Sequence, residues 1–328
     1  MAEKDPKYYI DGLRSGNRRI LAKTITLIES KHPSHRQLGR NIVDAILSET
    51  GKAVRLGITG VPGVGKSTFI ESFGMMLVEQ GHKVAVLAVD PSSSRSGGSV
   101  MADKTRMEKL SVATNAFIRP SPSGGTLGGV ARMTRETLLV CEAAGFDIII
   151  VETVGVGQSE TTVASMVDFF LVLMLAGAGD ELQGIKKGVL ELADAVAINK
   201  ADGDNIEKAE KARQSYEIAL HLLNPATPTW TPPVLACSAL TLAGIDKLWA
   251  TIRDHRKKMS DSGELEQNRR RQALAWMWSR IEDGLKQRFA DNPMVKLRIR
   301  GVEASVERGE LSPTVGAESL LFLLDNNS

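Results

Sequence analysis

The sequence predicts an α/β fold in which a mostly parallel β-sheet is flanked by helices. Short apolar runs, each long enough for one strand, alternate with stretches of helical spacing between residues 54 and 239. These runs are VRLGIT, KVAVLAVD, DIIIVET, FFLVLML, AVAINK and PVLACSA. Strands that are apolar almost throughout are typical of a parallel sheet that is covered by helices on both faces.

Helical extensions are expected on both sides of the sheet. Residues 1–50 carry apolar side chains at near-helical spacing among many charges. The strand pattern ends by about residue 258, and a second helical stripe follows it. That stripe consists of Leu274, Met277, Trp278, Ile281, Leu285 and Phe289. We therefore predict an N-terminal helical extension at 1–50, a sheet-bearing domain at 51–258 and a C-terminal helical extension at 259–328.

The C-terminal stripe is compatible with two kinds of packing. Its a/d spacing fits a seam within one chain and a seam between two chains equally well. Trp276 and Trp278 lie on different faces of the same predicted helix, and both are easier to bury when a second chain covers one of them. This observation favours a homodimer.

The composition limits the class of partner. The 328 residues include 41 basic and 39 acidic side chains, so the net charge is only +2 and gives no argument for nucleic acid or a membrane as partner. The N-terminus lacks the apolar core of a signal peptide. The longest strongly apolar run, FFLVLMLAGAG, is 11 residues long, against roughly 18 for a membrane span. We expect a cytoplasmic protein with Cys141 and Cys237 as buried, reduced thiols.

A phosphate-binding loop is the strongest motif. GVPGVGKS, residues 60–67, follows an apolar strand and precedes a helical stretch, as a GxxxxGK[ST] motif requires. Backbone N–H groups of such a loop surround the phosphates, Lys66 neutralises their charge in catalysis, and Ser67 binds magnesium. The predicted phosphate-binding residues are Gly60, Val61, Pro62, Gly63, Val64, Gly65, Lys66, Ser67 and Thr68. The fold is therefore predicted to be that of a P-loop NTPase.

The NKAD stretch, residues 199–202, predicts which base is bound. A carboxylate at Asp202 accepts two parallel hydrogen bonds from the N1–H and the exocyclic amine of guanine, whereas adenine presents an acceptor there. The pattern therefore favours GTP. By analogy with GTPases generally, the backbone of CSAL after the next strand closes over the guanine edge. The predicted base-binding residues are Asn199, Lys200, Asp202, Ser238, Ala239 and Leu240.

Carboxylates at strand ends predict a magnesium shell. Glu152 ends a fully apolar strand, where a carboxylate is costly unless it is paired, so we assign it a catalytic and metal-binding role. Three residues later, the N–H of Gly155 is placed to sense the γ-phosphate. Asp90 ends another strand, and Asp103 lies on a glycine-serine loop, where a helix N-cap is its alternative role. Either aspartate can join Ser67 and Glu152 around Mg²⁺.

Two loops suggest that the bound nucleotide controls a switch. Val156 stands where many signalling GTPases carry a glutamine that orients water, and Gln158 lies two residues farther on. We therefore expect slow unaided hydrolysis. The polar segment GAGDELQGIKKG, residues 177–188, follows a core strand and is the predicted contact to a partner. A charged surface connection has the same sequence features, so both interpretations remain open.

Taken together, these motifs resemble those of the MeaB/ArgK/MMAA family, the GTPases that accompany methylmalonyl-CoA mutase. The resemblance rests on GVPGVGKST, DPSSSRSGGS, DKTRM, RPSPSGGTLGGVA, ETVGVGQSE, GAGDELQGIKKG and NKAD, and it extends from about residue 35 almost to the C-terminus. It implies a homodimeric G-protein chaperone that gates adenosylcobalamin delivery to the mutase and protects or rescues that enzyme. It also implies that Lys186 contacts the nucleotide after partner binding, as a catalytic residue. No mitochondrial leader is visible, which favours the bacterial type.

Three other functions have to be weighed. A P-loop kinase or transport-associated NTPase agrees poorly with NKAD, which argues against ATP. A GTPase that inserts nickel needs clustered histidine or cysteine for its metal store, and of the five histidines only His32 and His35 are close in sequence. A non-enzymatic scaffold with an inactive nucleotide site is the remaining class. Measurable GTP turnover in the presence of a mutase would exclude it.

Overall fold

The computed structural model describes residues 5–30, 32–89, 107–120, 127–153, 159–177, 187–222 and 227–325. Its internal contacts divide the chain into two compact units, residues 1–266 and 267–328. The first unit contains the β-sheet, and the second is helical.

Within the described residues, seven strands form one sheet in the order β3-β2-β4-β1-β5-β6-β7, and every neighbouring pair is parallel. The strands are β1 Val54–Gly60, β2 Val84–Val89, β3 Ala116–Arg119, β4 Ile148–Thr153, β5 Phe169–Leu175, β6 Ala195–Asn199 and β7 Val234–Ala236. The predicted α/β fold with a parallel sheet flanked by helices is therefore confirmed. Six of the strands lie in the six apolar runs of the sequence.

The edge strand β3 is absent from the sequence pattern. Its four residues, AFIR, are too few to show a period, and Pro120 follows at once. The strand exists because its backbone pairs with β2, with Val84 opposite Ala116. Tertiary pairing, which a local pattern does not contain, determines this element.

Helices connect the strands and cover the sheet. They are α1 Pro6–Arg14, α2 Arg18–Glu29, α3 Pro33–Ile46, α4 Lys66–Glu79, α5 Glu108–Val112, α6 Leu127–Ala143, α7 Ser159–Ala164, α8 Lys187–Leu190, α9 Ile206–His221, α10 Ile245–Asp261, α11 Glu264–Asp291, α12 Pro293–Glu307 and α13 Pro313–Asp325. Short 3-10 turns occur at Leu47–Glu49 and Gly203–Asn205. Among the described residues, no helix is both long and apolar enough to span a membrane.

The N-terminal helices α1 to α3 pack on one another and on α6. Leu13, Ile25 and Ile42 are fully buried among them. Arg18 of α2 donates hydrogen bonds to backbone carbonyls before and at the start of β3, including that of Ala116 at 2.6 Å. These helices therefore belong to the core of the first unit.

The sheet interior is apolar, as its sequence requires. All residues of β2, β4 and β6 are buried, and Phe69 and Phe73 of α4 stack at 5.7 Å between ring centroids. Cys141 and Cys237 are buried and free, as expected. Since the strands are parallel, their carboxyl ends lie along one edge of the sheet, where α/β proteins bind their ligands.

The second unit, residues 267–328, contains most of α11 together with α12 and α13. The side chain of Asn292 caps α12 by accepting hydrogen bonds from the N–H groups of Met294 and Val295 at 2.8 and 3.2 Å. Helices α12 and α13 pack together. In the single chain, much of the predicted apolar stripe on α11 is exposed, including Trp278 (60%) and Leu285 (58%).

Candidate functional site

The loop between β1 and α4 has the backbone shape that phosphate binding requires. Gly63 and Gly65 adopt left-handed conformations, with φ of 76° and 88°, which only glycine adopts without strain. At Gly60 a Cβ atom would lie 2.5 Å from the carbonyl oxygen of Leu173 on the neighbouring strand. The glycines of GVPGVGKS are therefore required by the fold as well as by the predicted ligand.

Lys66 lies at the start of α4, where helix N-terminal N–H groups favour an anion. Its ammonium group donates to the carbonyl oxygen of Gly60 at 2.9 Å, across the mouth of the loop. Burial lowers the pKa of Lys66, while the carboxylates of Glu152 and Glu160 act in the opposite direction. Ser67 is half-buried in the first helical turn, one residue further on.

Glu152 is held near this loop by strand pairing. It lies on β4 opposite Ile58 of β1 and is only 5% exposed. At the next position, the hydroxyl of Thr153 donates to that of Thr59 at 2.8 Å and joins the two strands. A buried carboxylate beside a lysine and a hydroxyl is a suitable oxygen ligand for a hard cation such as Mg²⁺.

A second buried carboxylate near Lys66, that of Glu160, was not predicted from the sequence. Glu160 is 3% exposed and lies in the first turn of α7. In the sequence, the only indication of this residue is that it is the last residue of ETVGVGQSE. The serine before it, Ser159, is also buried, at 1% exposed. The sequence pattern does not indicate that this glutamate is buried, and its effect on the pKa of Lys66 depends on the fold.

The NKAD segment is bonded directly to the phosphate loop. The amide nitrogen of Asn199 donates to the carbonyl of Val64 at 2.8 Å, and its oxygen accepts the N–H of Ala239 at 3.1 Å. The ammonium group of Lys200 donates to the carbonyl of Gly63 at 2.9 Å. Lys200 has a φ of 61°, a conformation that is uncommon outside glycine and typical of functional sites.

Asp202 and Ser238 also meet. The Ser238 hydroxyl donates to an Asp202 carboxylate oxygen, and it accepts the N–H of Thr241 at 3.1 Å. These bonds fix the carboxylate of Asp202 relative to the loop that follows β7. Leu240 in that loop is 80% exposed. The structure thus brings the two segments predicted to read the base into one site.

Four predicted site residues lie outside the described part of the chain: Asp90, Asp103, Gly155 and Lys186. The other predicted residues occupy the carboxyl edge of the sheet or the loops beside it. Elsewhere, the rings of His32 and His35 lie 5.1 Å apart. The described ranges contain no group of three or more histidine, cysteine or acidic side chains arranged to hold a metal ion.

Comparison with known proteins adds an independent result. The family model described as methylmalonyl Co-A mutase-associated GTPase MeaB matches residues 21–294. A putative GTPase of Caulobacter vibrioides is 55% identical, with 96% of this chain and 98% of the relative covered. The GTPase ArgK of Escherichia coli is 50% identical over 94% of this chain and 93% of its own.

More distant relatives extend this pattern. The mitochondrial methylmalonic aciduria type A homologue of Mus musculus is 48% identical, with 94% of this chain and 77% of the relative covered. Among solved structures, one described as an LAO/AO transport system kinase superposes with a TM-score of 0.79 at 43% identity, covering 99% of both chains.

Proposed function

Because the chain belongs to the family of methylmalonyl Co-A mutase-associated GTPases, MeaB, we propose that its GTPase cycle serves an adenosylcobalamin-dependent mutase. In this proposal the protein is a cytoplasmic chaperone that gates cofactor delivery and protects or reactivates the mutase. The prediction of a P-loop GTPase is confirmed by the family and by the relatives named GTPase. The family name, which pairs the GTPase with the mutase, is the observation that supports this partner.

The geometry supports a division of labour in the nucleotide site. The loop of residues 60–67 would hold the phosphates, with Lys66 turning from the Gly60 carbonyl to their oxygens. Asp202 would read guanine while Ser238 keeps its carboxylate in place. Asn199 joins the two halves, because its amide bonds to both loops.

The residues at this edge also fit magnesium. Ser67 and Glu152 offer a hydroxyl and a buried carboxylate beside Lys66, and either Asp90 or Asp103 would complete the oxygen shell. Mg²⁺ bound with the nucleotide neutralises charge on the phosphate oxygens. The role of the protein is to position these ligands and to exclude water from the sheet edge.

Partner control is assigned to the segment 177–188. Val156 stands where many signalling GTPases carry a glutamine that orients water, and this replacement supports slow GTP hydrolysis by the protein alone. In this proposal Lys186 contacts the nucleotide after the partner binds. A correctly placed ammonium that accelerates hydrolysis about tenfold lowers the barrier by ~1.4 kcal/mol, a modest electrostatic effect.

A homodimer formed through the helical extension 259–328 is part of the same proposal. Its support is the exposed apolar stripe on α11, where Trp278, Leu285 and Ile281 are 60%, 58% and 40% exposed in the single chain. Large apolar side chains at helical spacing are typical of a surface that a second chain covers.

The test is GTP turnover measured with and without purified adenosylcobalamin-dependent methylmalonyl-CoA mutase. We expect stimulation of about tenfold in the wild type. Lys66→Ala should remove both basal and stimulated turnover, because the lysine stabilises charge on the transferring oxygens. Lys186→Ala should leave basal turnover unchanged and reduce stimulation only. An equal fractional loss in both conditions, or no stimulation of the wild type, would contradict the proposal.

A further inference from the structure

Ser72 makes a contact that the sequence gives no reason to expect. Serine and threonine side chains in helices commonly bond to the carbonyl four residues earlier, as Thr24, Ser215 and Thr251 do here at 2.9 to 3.0 Å. Ser72 lies on α4, yet its hydroxyl donates to the carbonyl of Ala239 at 2.7 Å. It therefore bonds the phosphate-loop helix to the loop that follows β7.

This contact orients a peptide plane. Every described peptide bond is trans, so the C=O of Ala239 and the N–H of Leu240 point in opposite directions. Because Ser72 holds that carbonyl toward α4, the Leu240 N–H points away from the helix. The preceding peptide is held as well, since the Ala239 N–H is committed to Asn199.

The Leu240 N–H has no acceptor among the residues that the structure describes. Leu240 is also 80% exposed, next to the Asp202 and Ser238 pair. A fixed backbone donor beside a carboxylate acceptor complements one edge of guanine, which offers a carbonyl oxygen at C6 and N–H donors at N1 and the 2-amine. Adenine carries an amine at C6, so the Leu240 N–H would face another donor instead of an acceptor.

We propose that Ser72 is a positioning residue for guanine recognition: its hydroxyl holds the Ala239–Leu240 peptide so that the Leu240 N–H donates to the C6 oxygen. This inference rests on the guanine site proposed above, in which the backbone after β7 already borders the base, and it adds the side chain that positions this backbone. Asp202 reads the donors of the base, and Ser72, acting through Leu240, reads its acceptor. Ser72 itself does not contact the nucleotide.

The test changes the Ser72 side chain in the protein and the C6 oxygen in the ligand. Dissociation constants are measured for GDP and for 6-thio-GDP, whose sulfur is a poor acceptor, with wild type and Ser72→Ala. Wild type should prefer GDP. The variant should lose GDP affinity by about three- to tenfold while 6-thio-GDP affinity changes little, so the preference shrinks. Ser72→Thr keeps the hydroxyl and should keep the wild-type preference for GDP. Ser215→Ala is the matched control, because Ser215 bonds only within its own helix, to the carbonyl of Lys211.

The outcomes separate this inference from the site on which it rests. Equal weakening of GDP and 6-thio-GDP would make Ser72 merely structural and would overturn the inference, as would unchanged affinity for both. If wild type fails to prefer GDP over ADP, the guanine site itself is wrong and both proposals fall. Should Ser72→Ala unfold at a lower temperature, Ser72→Cys, with its weaker donor, provides the second measurement of the same ratio.

Discussion

The two ends of the β-sheet use polar side chains in different ways. At the amino end, carboxylates accept backbone N–H groups where strands begin. Asp168 accepts the N–H of Arg55 at 3.0 Å, and Asp194 accepts that of Phe170 at 2.7 Å. These carboxylates bond to groups that would otherwise lack a partner, so they act on the stability of the fold.

At the carboxyl end, the side chains join loops to one another. Asn199 connects the phosphate loop to Ala239, and Ser238 holds Asp202. Lys66 bonds a loop carbonyl that a phosphate would replace. The comparison teaches that a buried polar group is not by itself evidence of function. Substitutions at the amino end should change stability, and substitutions at the carboxyl end should change nucleotide binding.

The largest expected effect belongs to the amino end. Glu142 is buried and accepts the Arg55 guanidinium at 2.6 Å and the N–H of Gly51. Glu142→Ala leaves the arginine, whose side chain is 13% exposed, without this partner. We expect the free energy of unfolding to fall by ~3 to 5 kcal/mol, measured by urea denaturation, with GDP affinity of the folded protein unchanged.

The control for this change is an ion pair on the surface. Asp261→Ala removes the partner of Lys257 on an exposed helix face, where such pairs contribute little. Its urea midpoint should stay near that of the wild type. If Glu142→Ala were as harmless as Asp261→Ala, or if it mainly weakened GDP binding, the distinction between the two ends would be wrong.

The second prediction concerns the carboxyl end. Asp202→Asn should weaken GTP binding by ~2 to 4 kcal/mol, because two charge-assisted hydrogen bonds to guanine are lost or inverted. Xanthosine triphosphate should bind relatively better, since its base offers an acceptor at that edge. The variant keeps an oxygen for the Ser238 hydroxyl, so its unfolding midpoint should change little. Calorimetric titration measures the two affinities, and unchanged GTP affinity would contradict the role of Asp202.

The sequence predicts the carboxyl end of the sheet better than the amino end. GVPGVGKS and NKAD are continuous segments with fixed spacing, and the structure places them at the carboxyl ends of β1 and β6, with β5 between the two strands. Parallel topology explains this success, because each strand delivers the residues that follow it to the same edge. Glu160 was missed for the opposite reason, since its proximity to Lys66 depends on where α7 folds.

Contacts that are distant in sequence occur at both ends of the sheet. At the amino end Glu142 bonds Arg55 across 87 positions, and at the carboxyl end Ser72 bonds Ala239 across 167. Neither pair has a local signature. The edge strand β3 belongs to the same class, because AFIR becomes a strand only beside β2. What the sequence predicts is thus the local motif and its strand, whereas long-range partners require the fold.

The smallest expected effect tests the amino end by pH. Asp194 and His255 approach to 3.7 Å, and the His255 ring makes edge contacts with the rings of Trp230 and Phe169, each at 4.9 Å between centroids. Burial raises the pKa of Asp194 to about 7, against the hydrogen bond from the Phe170 N–H, which lowers it. Burial lowers the pKa of His255 to about 4, although nearby acids, Asp168 first among them, raise it.

These two shifts give opposite pH dependences. The folded state prefers neutral Asp194, so that contribution to stability is present at low pH and is lost as the pH rises toward about 7. The folded state also prefers neutral His255, so that contribution is lost as the pH falls from the ordinary value of 6.5 toward about 4. Between pH 4.5 and 6.5 the two contributions should partly cancel in the wild type.

Asp194→Asn removes the contribution to stability that decreases as the pH rises. The free energy of unfolding of the variant should therefore rise more steeply from pH 4.5 to 6.5 than that of the wild type. Since a quarter of the Asp194 side chain is exposed, we expect a difference of only ~1 kcal/mol across this interval. His255→Gln should change the slope in the opposite direction. Urea denaturation at the two pH values measures both, and an unchanged or shallower slope for Asp194→Asn would contradict the raised pKa of Asp194.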